Sequence, residues 1–146
     1  MNKPGLTDHQ KNSLAVFVKL LRATNTVVQS THRHLADDEL THSQFAVLEA
    51  LHHLGPLCQG ELSSKILKSN ANITSVVDAL EKKRLVVRDR PTGDRRKVIV
   101  KLTAEGSALV EKIFPRHTEA IDRVFSVLSA QEKAELGRLL KKLGRQ

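Results

Sequence analysis

Two adjacent arginines, Arg95 and Arg96, occupy a segment whose residue types favour a turn between two strands. Gly93 and Asp94 precede them, and a Gly-Asp pair is typical of a hairpin turn. The alternating apolar residues of 98–102 follow them and are typical of a strand. A guanidinium at a projecting hairpin tip suits the narrow, negatively charged minor groove of DNA, although a solvated turn has the same composition. The segment therefore predicts a basic tip that binds a nucleic-acid groove.

A second group of polar residues lies upstream, on a segment whose apolar residues recur at helical spacing. Its members are Ser69, Asn70, Asn72, Thr74 and Ser75. Short polar side chains can approach base edges closely, and asparagine offers the paired donor and acceptor that suits adenine. Serine and asparagine also cap helices, so capping stays open as an alternative for any single one of them.

The positive charge of the chain is concentrated around these two groups. The 146 residues include 24 Lys and Arg against 16 Asp and Glu, and residues 68–101 contain ten basic and four acidic side chains. This excess favours a polyanionic partner, but charge alone does not separate DNA from RNA, acidic lipid or an acidic protein. Because the chain has no Trp, no Tyr and four Phe, base stacking on aromatic platforms is disfavoured, which argues against a single-strand binder.

Helical and alternating periodicities predict the elements that must position these side chains. We expect helices over 8–36, 41–54, 59–67, 71–83 and from 103 onward, strands over 85–88 and 98–102, and a last helix from the Ser129 capping box to Gly144. Pro115 is expected to kink or break the helix that follows residue 103. Two short helices over about 59–83 form a helix-turn-helix, and the hairpin over about 85–102 forms a wing. The predicted fold class is mainly α with a small β-hairpin wing (α+β).

The order and spacing of these motifs closely resemble the MarR family of winged-helix transcription regulators. The resemblance is carried by Glu61–Ile66, Ser69–Thr74, Val77–Val86, Asp94–Arg96 and Leu102–Gly106. It implies a single MarR-type domain over 1–146, with dimerisation helices at 8–36 and 107–146 and a winged helix-turn-helix over 41–106. The family resemblance further implies a homodimer that binds double-stranded DNA, with one recognition helix per subunit in the major groove.

Residue by residue, the resemblance places Ser69, Asn70, Asn72, Thr74 and Ser75 at the start of the recognition helix. It places Arg96, beside Arg95, in the minor groove, and it implies that Asp94 pairs with Arg96 and holds the wing. Two positions depart from the family pattern. Ser75 stands where many members carry Arg or Lys. Arg84 replaces the usual glycine, and it would be strained if that position needs a positive φ.

The resemblance also implies a ligand-controlled repressor of a pseudo-palindromic operator. In that interpretation a small aromatic or weak-acid effector binds between the dimerisation helices and the DNA-binding lobe and releases the protein from DNA. The candidate lining residues are Phe17, Leu21, Arg22, His42 and Phe45. Core packing explains the apolar members of this set equally well.

Three alternatives remain open at this stage. Cys58 precedes a helix, where its thiol could be a redox switch or a small buried hydrophobic group. Histidines at positions 32, 34, 42, 52, 53 and 117 could converge on a metal ion, although His32 and His34 point to different sides of a helix. A sequence-indifferent architectural protein would use the same wing without an effector. We predict no metal and no cofactor.

Several functional classes are disfavoured by what the sequence lacks. It contains no Gly-rich phosphate loop, no Gly-x-Ser-x-Gly elbow and no His-Glu-x-x-His motif, so we predict that the protein is not an enzyme. No stretch approaches the 18 or so uninterrupted apolar residues of a membrane span, and the first residues lack the apolar run of a signal peptide. We therefore predict a cytoplasmic protein without membrane association.

Overall fold

The computed structural model describes residues 5–66, 70–91, 93 and 96–145. Its elements are α1 (Asp8–His32), a 3-10 helix (Arg33–Asp38), α2 (His42–Leu54), β1 (Leu57–Cys58), α3 (Gln59–Ile66), α4 (Asn70–Lys82), β2 (Val86–Asp89), β3 (Ile99–Leu102), α5 (Ala104–Phe125) and α6 (Ala130–Leu143). These elements confirm the predicted fold class, which is mainly helical with a small β wing. The chain divides into two compact units, Met1–Thr31 with Glu119–Gln146 and His32–Thr118.

The second unit contains the helix-turn-helix and an antiparallel sheet. Among the described residues this sheet has three strands in the order β1-β3-β2, with Val86 opposite Leu102 and Leu57 opposite Val100. The β2-β3 hairpin was expected from the sequence, whereas β1 was not. A strand of two residues is too short to show an alternating pattern, so only its pairing with β3 reveals it.

One hydrophobic core holds α2, α3, α4, the sheet and the first part of α5 together. Its fully buried side chains include Phe45, Leu48, Leu62, Ile73, Leu80, Val86, Val100, Val110 and Ile113. Burial of each such side chain contributes on the order of 1.5–3 kcal/mol to folding. The core therefore fixes the position of α4 relative to the wing strands.

Local side-chain caps set the ends of two helices where the sequence predicted them. The Thr41 hydroxyl accepts a hydrogen bond from the Gln44 amide (3.2 Å), and the Gln44 side chain accepts one from the Thr41 amide (3.1 Å). Ser129 and Glu132 form the same reciprocal box at the start of α6. Each box satisfies backbone N–H groups that a helix start leaves without an intrahelical partner.

A left-handed residue ends α4 and leads the chain into the wing. Arg84 has φ 60°. The Leu85 amide donates to the Leu80 carbonyl and the Arg84 amide to the Glu81 carbonyl, both at 3.0 Å, which is the Schellman pattern. Glycine occupies this conformation without strain and arginine does not. Position 84, where this chain has arginine in place of the glycine usual in the MarR family, therefore does adopt a positive φ.

Helix α5 runs from Ala104 to Phe125 without a break, so of the two outcomes expected at Pro115 the break is wrong and a kink stays a prediction. Proline has no N–H, so Pro115 cannot donate the helical hydrogen bond to the carbonyl four residues earlier. The hydroxyl of Thr118 donates to the carbonyls of Phe114 (3.1 Å) and Pro115 (2.9 Å) in the same region. Burial of Val110, Ile113 and His117 on one face stabilises the helix across the proline.

The first unit exposes a large apolar surface. Along α1, all of which the structure describes, Thr31 is the one buried residue. The exposed large apolar side chains of this unit are Leu14, Val16, Phe17, Val18, Leu21, Val28, Val127, Leu139, Leu140 and Leu143. None of the helices in the described part of the chain is long and apolar enough to cross a membrane.

Candidate nucleic-acid interface

Helix α4 separates an apolar face from a polar one. Ile73 and Val77 are fully buried, whereas Asn72, Thr74 and Ser75 are exposed. This division follows from the helical repeat of 3.6 residues, which places residues 73, 77 and 80 on one side. The exposed side chains are those that the sequence assigned to base contacts. Ser69 lies outside the described residues, and Asn70 is the first residue of α4.

The wing presents an arginine at its turn. Arg96 is exposed, and Gly93 has φ 120°, a conformation that favours glycine. Asp94 and Arg95 lie outside the described residues, so the pairing of Asp94 with Arg96 stays a prediction. The exposed Arg96 agrees with the basic wing tip that the sequence predicted.

Arg88 connects the wing to α4. From the middle of β2 its guanidinium donates to Asp78 (2.6 Å), to Glu81 (3.2 Å) and to the Thr74 carbonyl (3.3 Å). Its side chain is 18% exposed, so these charged contacts are partly shielded from water. The Glu81 carboxylate also accepts the Arg88 backbone amide at 3.2 Å. These contacts fasten β2 to one side of α4.

Gln59, at the start of α3, completes this arrangement. Its amide oxygen accepts a hydrogen bond from Arg88 Nε at 3.2 Å, and its amide nitrogen donates to the Thr74 hydroxyl at 3.1 Å. Neither Gln59 nor Arg88 was assigned a role from the sequence. One signal was present, because Arg88 follows the buried Val86 by two residues and therefore shares its face of the strand.

Cys58 and Glu61 form a cap at the start of α3. The Glu61 carboxylate accepts a hydrogen bond from the Cys58 amide at 2.8 Å. Hydrogen bonds from the backbone and side chain of Cys58 hold the pKa of Glu61 below its usual value. The thiol is half-buried and lies 3.9 Å from the position of a Cβ atom built on Gly60. Cys58 therefore takes part, through its backbone amide, in the cap that begins α3.

Four of the histidines noted in the sequence come together in the second unit. The rings of His32 and His42 have centroids 3.8 Å apart, and His117 Nδ1 lies 3.3 Å from His34 Nε2. His117 also packs edge-on against Phe45, with centroids 4.7 Å apart. Across the described residues, no group of three His, Cys, Asp or Glu side chains could hold a metal ion. The four rings contact one another in two pairs, His32 with His42 and His34 with His117.

Burial and like charge act together on His117. Burial is the larger cause, and the neighbouring histidines add to it, so the pKa of His117 falls to about 4. Asp38 follows His34 by four residues. The carboxylate of Asp38 forms ion pairs with Lys112 (3.0 Å) and Arg116 (2.6 Å). The hydrogen bonds from these two cations lower the pKa of Asp38 despite its burial.

The residues predicted to contact an effector occupy different surroundings. Phe17, Leu21 and Arg22 are exposed on α1. His42 is exposed at the first turn of α2, whereas Phe45 is fully buried in the core of the second unit. Phe17 also borders a groove of about 390 Å³ between α1 and Leu143 of α6. The assignment of these five residues to an effector site remains a prediction.

Comparison with known proteins identifies the family. The MarR family model matches residues 40–98. The transcriptional regulator MhqR of Bacillus subtilis is 37% identical over 134 residues, covering 92% of each chain. The chain belongs to the MarR family. This MarR-family protein is a DNA-binding transcriptional regulator, and the family consists of regulators and not of enzymes.

Two solved structures are similar over nearly the whole of this MarR-family regulator. BpsR of Bordetella bronchiseptica, whose DNA binding is regulated by 6-hydroxynicotinic acid, has a TM-score of 0.83 at 30% identity, covering 89% of this chain and 98% of its own. A mutant of E. coli MarR complexed with operator DNA also has a TM-score of 0.83, at 25% identity, covering 94% of this chain and 99% of its own. The winged helix-turn-helix fold described above is therefore that of regulators studied with DNA and with a ligand.

Proposed function

We propose that this protein is a homodimeric repressor that binds a pseudo-palindromic operator and is released from it by a small aromatic or weak-acid molecule. The observation that carries the proposal is the exposed polar face of α4, tied through Arg88 to a wing with an exposed arginine. The operator complex of E. coli MarR and the ligand regulation of BpsR support it by relationship.

In the proposed complex the two parts of the interface have different tasks. Asn72, Thr74 and Ser75, with Ser69 and Asn70 before them, read base edges in the major groove, where hydrogen-bond patterns distinguish all base pairs. Arg96, together with Arg95, enters the minor groove, and Asp94 holds the wing loop. Ser75 is shorter than the Arg or Lys of many relatives, so phosphate affinity depends more on the wing.

Dimerisation is supported by the exposed apolar surface of the first unit. A helix of 25 residues with one buried residue leaves much apolar area in water, and contiguous patches of this kind mark protein interfaces. A second copy would cover side chains such as Leu14, Phe17 and Leu143. Two-fold symmetry of the dimer then requires a pseudo-palindromic site with half-sites about one helical turn apart.

For the effector, we propose contacts with Phe17, Leu21 and Arg22 of α1 and with His42 and Phe45 of α2. An aromatic ring would pack on the exposed Phe17 and Leu21, and Arg22 would pair with a carboxylate. The ligand can release DNA only if it binds the DNA-incompetent conformation more tightly than the competent one. Screening aromatic acids for loss of DNA binding, with Arg22→Gln as the matched variant, tests this assignment.

The main test is DNA binding on two duplexes at the same salt concentration. One duplex is selected by the wild-type protein from a random library, and the other has the same bases in shuffled order. We expect a preference of at least about a thousandfold for the selected duplex and protection of two half-sites in a footprint. Equal binding to both duplexes would indicate an architectural protein, and sedimentation as a monomer would contradict the dimer.

A further inference from the structure

The guanidinium of Arg88 lies at the junction of three elements that together form the DNA-binding surface. It contacts Gln59 of α3 and Thr74, Asp78 and Glu81 of α4, while its own backbone belongs to β2. The planar guanidinium has five N–H donors in a fixed fork, and the four contacts just named are made by these donors. Lysine carries the same charge but cannot reproduce the fork.

The contact with Gln59 extends this order to a side chain that faces DNA. Because the Gln59 amide oxygen accepts from Arg88 Nε (3.2 Å), the amide nitrogen turns toward Thr74 and donates to its hydroxyl (3.1 Å). An amide that lost its arginine partner would be able to rotate. Arg88 therefore fixes the orientation of Gln59, and Gln59 fixes the hydroxyl of Thr74.

Arg88 also compensates two negative charges on the recognition helix. Asp78 and Glu81 have side chains that are 53% and 45% exposed. A carboxylate near a phosphate backbone is repelled by it, with an energy that grows as the surroundings become less polar. The 2.6 Å and 3.2 Å pairs with Arg88 neutralise much of this charge at the surface that the duplex approaches.

We propose that Arg88 is a positioning residue for sequence recognition, which holds α4, the Thr74 hydroxyl and the wing in one fixed arrangement. The inference rests on the proposed operator binding and adds a residue that contacts neither base nor phosphate. Loss of such a residue lowers the difference in affinity between a selected and a shuffled duplex. The number of contacts between the protein and DNA phosphates stays the same.

The test compares three variants on the selected and shuffled duplexes defined above. Arg88→Lys keeps the charge and removes the fork. Gln59→Ala removes the bridge to Thr74 without changing charge. Arg138→Lys is the matched control, because Arg138 makes the same kind of forked contact, with Glu135 at 2.8 Å and 2.6 Å, within α6 and outside the wing. Dissociation constants are measured over a series of salt concentrations, with melting temperature and sedimentation as checks of folding and assembly.

We expect Arg88→Lys to lower the preference for the selected duplex by about tenfold or more, the discrimination of one well-placed base contact. Affinity for the shuffled duplex and the salt dependence should stay at the wild-type values. Gln59→Ala should also lower the preference, and Arg138→Lys should leave it unchanged.

Two results would overturn the inference. One is a wild-type preference in both Arg88→Lys and Gln59→Ala. The other is a parallel loss of affinity for both duplexes in Arg88→Lys, with a salt slope smaller by about 0.9, which would make Arg88 a phosphate contact. If Arg88→Lys does not fold, a wild-type preference in the charge-neutral Gln59→Ala contradicts the inference. Failure of the proposed function is distinguished by the wild-type protein itself, which would then prefer neither duplex.

Discussion

Gly106, in the first turn of α5, lies against the backbone carbonyl of Leu85. A Cβ atom at position 106 would overlap that oxygen and lie 3.0 Å from its carbon. The neighbouring Thr103 holds the same segment, since its amide donates to the Leu85 carbonyl (3.1 Å) and its hydroxyl to the Arg84 carbonyl (2.7 Å). The start of α5 is therefore built around the turn that connects α4 to the wing.

The first prediction is that Gly106→Ala destabilises the protein strongly. The obstacle is backbone, which cannot rotate away as a side chain would, so α5 must shift from the 84–85 turn. We expect a loss of several kcal/mol in the free energy of unfolding, at the upper end for a single methyl group. Chemical denaturation measures it, with Gly137→Ala as control, because a Cβ at Gly137 of α6 meets nothing within 4 Å. A wild-type midpoint for Gly106→Ala would contradict the close approach.

The second prediction is that Arg84→Gly stabilises the protein. Residue 84 has φ 60°, which strains a non-glycine residue by about 1–2 kcal/mol. Glycine relieves this strain, but part of the gain in stability is offset by the greater freedom of glycine in the unfolded chain. We expect a net gain of about 1 kcal/mol. Lys82→Gly, in the last turn of the same helix, is the control and should lose up to about 1 kcal/mol. A loss of stability in Arg84→Gly would show that the Arg84 side chain makes contacts that outweigh the strain.

Features that depend only on residues close together in the sequence were the predictable ones. The helix starts at Thr41 and Ser129 were predictable because their caps depend on residues three positions apart. The positive φ of residue 84 was not predictable locally, because arginine does not signal a turn and only the glycine usual in the family pointed to it. The Arg88 contacts were not predictable either, since Gln59, Asp78 and Arg88 meet only after three elements pack together. The absence of a break at Pro115 has a related reason, because tertiary burial of α5 outweighs the local preference of proline.

The third prediction concerns the pH dependence of stability. The pKa of His117 is lowered from 6.5 to about 4, so between these values the unfolded chain binds more protons than the folded one. The free energy of unfolding must therefore fall as the pH decreases from about 6.5 to 4, by up to about 3 kcal/mol at about 1.4 kcal/mol per pKa unit. His34 and His32, whose pKa values are also lowered by burial, act in the same direction.

The variant His117→Leu tests this dependence at constant protein concentration. It places an apolar side chain beside Phe45 and removes the titrating ring, so the stability of the variant should vary less between pH 6.5 and 4.5 than that of the wild type. Identical profiles for wild type and His117→Leu would exclude His117 as the source of the acid sensitivity.

The fourth prediction concerns the wing tip, where Arg96 is exposed in the turn that precedes β3. If Arg96 enters the minor groove, Arg96→Ala should weaken binding to the selected duplex by about 1 to 3 kcal/mol. Its melting temperature should not change, because no core residue is touched. The salt slope should also decrease by about one counterion, unlike that of Arg88→Lys. Lys142→Ala, on the last turn of α6, removes the same charge away from the wing and should leave affinity unchanged. Equal affinities of Arg96→Ala and wild type would remove Arg96 from the interface and leave the recognition helix as the source of specificity.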